Sequence, residues 1–244
     1  MYSLRTSLGP VDLAFTDRYG GVSAAPFDSL NLALVGDDDP AAVTENHRLV
    51  TDDFAPGAVV VDMRQLHGAE AVLVDDRDPG DRPGCDGLVT TRTDVVLMVR
   101  AADCVPVLLA DPVQAVVGAV HAGRPGLAEG VVPAAVRLMR EQGADQITAW
   151  IGPHVCGSCY EVPLAMQQEV ASLEPASLAT TSWGTPALDL GAGVRAQLER
   201  DDVTVLDASR CTREAADLYS HRRDGASAGR LAGLVRLRTQ RGQR

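Results

Sequence analysis

The stretch from Ala101 to Gly123, AADCVPVLLADPVQAVVGAVHAG, constrains the fold more than any other part of the chain. Two nearly all-apolar runs, VPVLLA and AVVGAV, flank Asp111-Pro112. Short apolar runs bounded by turn residues read as buried strands, so the stretch predicts two strands joined by a tight turn. Cys104 opens the first run and His121 closes the second. If the runs pair as a hairpin, the start of one lies beside the end of the other, and Cys104 can approach His121. A thiolate beside an imidazole is either two ligands of a metal or a nucleophile with its base. Upstream, Gln65-Leu66-His67-Gly68 offers His67 as a third partner at the end of another β-like run.

The remainder of the chain supports a globular enzyme-sized protein. With 244 residues, 45% of them hydrophobic, there is length and apolar content for a sizeable core. A net charge of −11 argues against non-specific binding to nucleic acid or an anionic membrane, both of which need clustered positive charge. All 22 basic residues are arginine, which removes Schiff-base and P-loop lysine chemistry. No apolar run approaches the roughly 20 residues needed to span a bilayer, and the first residues lack a signal-peptide pattern. The expectation is a cytoplasmic protein whose five cysteines are reduced.

Strand-like and helical segments alternate along the chain. Strands are expected at 11–16, 59–63, 71–74, 88–90, 95–99, 147–151, 203–206 and 231–237. Asp39-Pro40 supplies an N-cap and first-turn proline for a helix whose apolar face carries Val43, Val50 and Phe54, with His47 half-buried beside them. Further helices are expected from about Gly130, at 163–173 and at 189–200. The polar segment 75–84 reads as a loop. This mixture indicates an α+β, or mixed α/β, fold in one domain over residues 1–238, with 239–244 as a frayed tail.

His67, Cys104 and His121 make a His/Cys/His set of the kind that leaves a fourth zinc position open, yet the same residues could form a cysteine–histidine dyad or simply pack. Asp103 is a candidate partner of a ligand histidine or a proton acceptor, provided the backbone there departs from regular strand. Cys156-Gly157-Ser158-Cys159 has CxxC spacing without a second CxxC, and a packing role is expected for it. Arg18, Arg48, Arg222, Arg223 and Arg230 are candidate clamps for phosphate or carboxylate.

Together these segments resemble the YfiH-like laccase-domain family, also described as peptidoglycan editing factors or polyphenol oxidases. The resemblance rests on Thr16 to Ser23, Ser29-Leu30-Asn31-Leu32, Asn46 with Arg48, Gln65 to Gly68, Asp86 to Thr90, Ala102 to Leu109, and His121-Ala122-Gly123. It continues through Ile151-Gly152-Pro153, Cys159 to Val162, Cys211-Thr212, Ser220, Arg222, Arg223 and Arg230. It implies mixed β-sheets flanked by helices and a zinc held by His67, Cys104 and His121, with copper the alternative metal.

By the same resemblance the chain is expected to phosphorolyse purine nucleosides (adenosine, inosine, guanosine, methylthioadenosine) and to deaminate adenosine. Asp103, Arg48, Arg222 and Arg223 would be catalytic, with Arg18, Asn31, Gln65 and Ser220 contacting substrate. The expected partners are a purine nucleoside and phosphate, in a monomer or small homo-oligomer. Alternatives are a hydrolase editing peptidoglycan precursors, or a zinc-binding member with lost or narrowed activity. Copper phenol oxidation ranks below both, because five histidines do not suggest a multicopper cluster. The family usually follows its His-Ala-Gly with Trp-Arg-Gly, whereas this chain has Arg124-Pro125-Gly126, and its Asn-Arg-Arg becomes Asn46-His47-Arg48.

Overall fold

The computed structural model describes residues 1–75 and 82–239. Its first half runs β1 (Tyr2–Leu8), β2 (Val11–Thr16), α1 (Pro40–Phe54), β3 (Val59–Asp62), β4 (Ala71–Leu73), β5 (Gly87–Thr90), β6 (Val95–Ala101), β7 (Val105–Asp111) and β8 (Val116–Ala122). Then come α2 (Arg124–Glu129), α3 (Val131–Glu141), β9 (Thr148–Ile151), α4 (Leu164–Leu173), β10 (Leu178–Thr180) and β11 (Pro186–Leu188). The chain closes with α5 (Leu190–Arg200), β12 (Thr204–Asp207), α6 (His221–Asp224) and β13 (Leu231–Leu237).

Two mixed sheets lie face to face. One has the order β1-β2-β13-β6-β3, the other β12-β9-β7-β8-β5-β4. Because successive residues of a strand point to opposite faces, each sheet feeds two cores. Leu13, Phe15, Leu97 and Val235 of the first sheet meet Leu88, Leu108, Val117 and Trp150 of the second. Val107, Leu109 and Val120, on the other face of the second sheet, pack on Leu127, Val132, Met139 and Val194 from α2, α3 and α5. Ala14, Met98 and Leu234 face outward from the first sheet onto Val50 and Phe54 of α1. The layers therefore run helix, sheet, sheet, helices. Every residue of β6, β7 and β8 is buried, which is why their sequences are continuous apolar runs rather than alternating ones.

The start of α1 follows the expected cap, and α5 is capped in the same way. The Asp39 side chain accepts from the Ala41 N–H at 3.0 Å ahead of Pro40, and Asp189 accepts from the Ala192 N–H at 2.8 Å to open α5. The helix expected from about Gly130 is α3, and α2 is an unexpected short helix before it, ended by Gly130 at φ 86°. β1 is an addition to the expected strands. It is an edge strand hydrogen-bonded to β2 alone, and its pattern is too polar to announce itself. The expected 75–84 loop and 239–244 tail fall largely on 76–81 and 240–244, outside the described residues. Among the described residues no helix is long and apolar enough to cross a membrane.

Candidate functional site

β7 and β8 pair antiparallel with Val105 opposite Ala122 and Pro106 opposite His121, so the hairpin does set Cys104 beside His121. His67 arrives from the loop between β3 and β4, held at φ 61°, a conformation that non-glycine residues rarely adopt. One ligand atom from each of the three lies within 4.8 Å of the others, and His67 Nε2 is 3.7 Å from Cys104 Sγ. The two imidazoles meet edge to face, their centroids 4.7 Å apart. Gly123 makes room for this: a Cβ there would stand 2.5 Å from His67 Cδ2 and 3.3 Å from the Cys104 sulfur.

Asp86, placed just before β5, organises the centre. Its carboxylate accepts the backbone N–H groups of Leu66, His67 and Gly68 at 3.0, 3.0 and 2.8 Å. It also accepts from His121 Nδ1 at 2.8 Å. A carboxylate can only accept, so the Nδ1 proton of His121 is fixed and its Nε2 faces the other ligands. Burial would raise the Cys104 thiol, but the neighbouring His121 charge and hydrogen bonds from both imidazoles outweigh it and bring it down to about 6. Burial likewise opposes the charge on His121, yet the Cys104 thiolate and Asp86 raise it to about 9. The pocket thus favours an anionic sulfur with positive charge beside it.

That donor set fits a metal ion. Tetrahedral zinc, with bonds of about 2.3 Å to sulfur and about 2.0 Å to nitrogen, puts donor atoms about 3.3 to 3.6 Å apart; the His67–Cys104 pair stands at 3.7 Å and no separation exceeds 4.8 Å. Three protein donors leave the fourth position to the cleft.

The cleft has a volume of about 440 Å³ and is lined by all three ligands together with Gln65, Asp103, Tyr160, His221 and four arginines, Arg100, Arg124, Arg222 and Arg230. Arg222 lies over the Tyr160 ring at 4.7 Å and donates to the Glu161 carbonyl at 3.1 Å. Arg100 is buried against Asp62 and the Met63 carbonyl. Arg230 donates to the Ala228 and Gly229 carbonyls at 2.7 and 3.0 Å. Arg124 stands at the start of α2 with Pro125 beside it in the first turn, where a proline is tolerated. A cationic cleft in a chain of net charge −11 is a local arrangement suited to an anionic group.

The expected site residues separate into two groups. His67, Cys104, His121, Gln65, Asp103 and Arg222 are brought to the cleft. Gln65 spends its amide on the backbone of Arg100, donating to the carbonyl at 2.7 Å and accepting from the N–H at 3.0 Å. Asp103, at φ 92°, does turn out of strand geometry, but its carboxylate is committed away from the ligand histidines. Its carboxylate accepts from Thr212 at 2.6 Å, from Ser220 at 2.7 Å and from the Arg222 N–H. The partner of the ligand histidine is Asp86, to which the sequence alone assigned no role; a carboxylate opening a fully buried strand was the available signal. Ser220 sits one step back as the N-cap of α6.

Four expected residues lie elsewhere. Arg48 is on the outer surface of α1, paired with Glu45 at 2.7 Å and Asp52 at 2.6 Å. Arg223 is consumed by the carbonyls of Thr212, Ala215 and Leu218 and by Asp224. Arg18 donates to the Asp28 carbonyl and lies over Tyr219, while Asn31 binds Asp38 and the Arg230 N–H. Each of these four is a fastener in the fold and none lines the cleft.

Residues 12–238 match a family model described as multi-copper polyphenol oxidoreductase laccase. A Streptomyces coelicolor protein named purine nucleoside phosphorylase is 54% identical over 97% of this chain and 100% of its own length. A Mycobacterium tuberculosis protein of the same name is 47% identical over 90% of this chain and 89% of its own. Among solved structures, a Neisseria meningitidis protein superposes with a TM-score of 0.85 at 31% identity, covering 97% of this chain and 99% of that one. YlmD from Geobacillus stearothermophilus gives 0.84 at 31% identity, covering 94% and 93%.

Proposed function

The chain belongs to the YfiH-like laccase-domain family, and from that premise we propose that it is a zinc-dependent phosphorylase of purine nucleosides that also deaminates adenosine. Relatives that carry the phosphorylase name support the reading at the level of enzyme class. The observation that carries it further is the convergence of a His/Cys/His centre and four arginines on one cleft.

In phosphorolysis a phosphate oxygen bonds to C1′ of the ribose, the bond from C1′ to the purine nitrogen breaks, and the purine leaves with a proton. His67, Cys104 and His121 would hold the zinc, which supplies Lewis-acid polarisation of an oxygen when bound. Arg124, Arg222 and Arg230 hold the phosphate, since guanidinium groups match its oxygens in charge and fork geometry. Tyr160, stacked on Arg222, and the Glu161 carbonyl that accepts from it hold that guanidinium at the cleft. Asp103 is a positioning residue: by taking the Arg222 N–H and the Ser220 hydroxyl it anchors the first turn of α6 at the cleft.

The test is release of hypoxanthine from inosine by the zinc-loaded protein, with ribose 1-phosphate formed in equal amount and no release without phosphate. Ammonia from adenosine tests deamination separately. No turnover of any purine nucleoside at full zinc occupancy would overturn the reading. Replacing the family's Trp-Arg by Arg124-Pro125 alters the phosphate side of the cleft, so Arg124→Ala is expected to raise the KM for phosphate about tenfold, the loss of one charged contact.

A further inference from the structure

Away from the cleft, a second cluster of metal-binding side chains is assembled by two loops. One ligand atom from each of Cys156, Cys159, Cys211 and Glu214 lies within 4.8 Å of every other. Cys159 Sγ is 3.4 Å from Glu214 Oε1. In tetrahedral zinc with three thiolates and one carboxylate, sulfur–sulfur separations are about 3.8 Å and sulfur–oxygen separations about 3.6 Å. The Cys159–Glu214 separation is of that order, and none of the others exceeds 4.8 Å.

The backbone holds them there. Cys156 and Cys159 belong to one turn, in which the N–H groups of Cys159 and Tyr160 donate to the Cys156 carbonyl at 2.9 and 3.0 Å. Cys211 comes from a separate segment bridged in parallel to His154, with His154 N–H on the Arg210 carbonyl at 3.2 Å and Thr212 N–H on the His154 carbonyl at 3.0 Å. The CxxC pair therefore finds its third sulfur some fifty positions along the chain rather than in a second CxxC. Sequence spacing could not show that completion.

We infer that Cys156, Cys159, Cys211 and Glu214 form a structural zinc site, distinct from the centre at His67, Cys104 and His121. Four protein ligands close the coordination shell, which marks a structural rather than a catalytic site. On binding, the three thiols each release a proton to solvent and the carboxylate is already ionised. The ion staples the segment that carries Tyr160 to the one that carries Thr212, and both serve the cleft, through Arg222 and Asp103 respectively. The inference does not depend on which reaction the cleft performs.

The experiment is elemental analysis of the full chain, expressed with zinc and dialysed against a weak chelator. Two zinc ions per chain are expected, one in Cys211→Ser, one in Cys104→Ala and none in the double variant. Glu214 is exposed, so Glu214→Gln keeps the fold and is expected to lose the second ion more readily to the chelator. Cobalt in place of zinc in Cys104→Ala, where the cleft has no thiolate, is expected to give sulfur-to-cobalt charge-transfer absorption. One zinc per chain unaffected by Cys211→Ser, absence of that absorption, or a mass two hydrogens light from a disulfide among these cysteines would each overturn the inference.

Discussion

Asp86 accepts from three consecutive backbone N–H groups and from His121, so one buried carboxylate fixes both the loop that presents His67 and the tautomer of a second ligand. Asp86→Asn keeps the shape but can meet the same donors with only one oxygen. Metal affinity is expected to fall about 10- to 100-fold, as for other groups that orient a ligand histidine. Chelator competition measures this, and unchanged affinity would remove Asp86 from its assigned place. His47, half-buried on α1, shows the opposite behaviour. Its Nε2 is 3.1 Å from the Leu32 carbonyl, and burial lowers its pKa below the usual 6.5. The neutral form therefore stabilises the fold above about pH 6.5, and this is lost as pH falls toward the folded-state value. Relative to His47→Gln, the wild-type advantage in Tm is expected to shrink between about pH 7.5 and about pH 5. Parallel Tm curves would contradict it.

At the level of elements, the β7–β8 hairpin sets Cys104 beside His121 because its register, Pro106 opposite His121, is fixed by the turn, where the Asp111 carboxylate accepts the Val113 and Gln114 N–H groups. Gly123, just beyond β8, is the point where His67 comes closest. Gly123→Ala is expected to displace the imidazole, at a cost of about 1–3 kcal/mol for overpacking, and to weaken metal binding in the same titration. Retained affinity would show that the loop yields freely. Much of this was legible in the sequence. The hairpin, α1, α5 and β13 follow from apolar runs, caps and helical spacing, and so does the approach of Cys104 to His121, while joining His67 to them as a metal set rests on the family resemblance. The placement of single arginines was not. Arg48 carries Glu45 and Asp52 three and four positions away, which marks a helix surface, but nothing local tells Arg222 at the cleft from Arg223 turned into a loop. Asp86 and the completion of the cysteine cluster depend on loops meeting across the fold, which no local pattern encodes.

For the whole molecule, two mixed sheets packed face to face, covered by helices on both outer faces, carry loops that converge on one cleft. A chain with excess acid gathers Arg100, Arg124, Arg222 and Arg230 beside a cysteine and two histidines there. Such an arrangement suits a reaction that joins an anion to a metal-polarised substrate. The most direct measurement is phosphate-dependent release of hypoxanthine from inosine by the zinc-loaded protein beside Cys104→Ala. The expected result is turnover that requires phosphate and falls by at least about 100-fold in the variant, no less than the loss of a ligand's outer partner produces. Equal rates in the two proteins, or release that proceeds without phosphate, would contradict it.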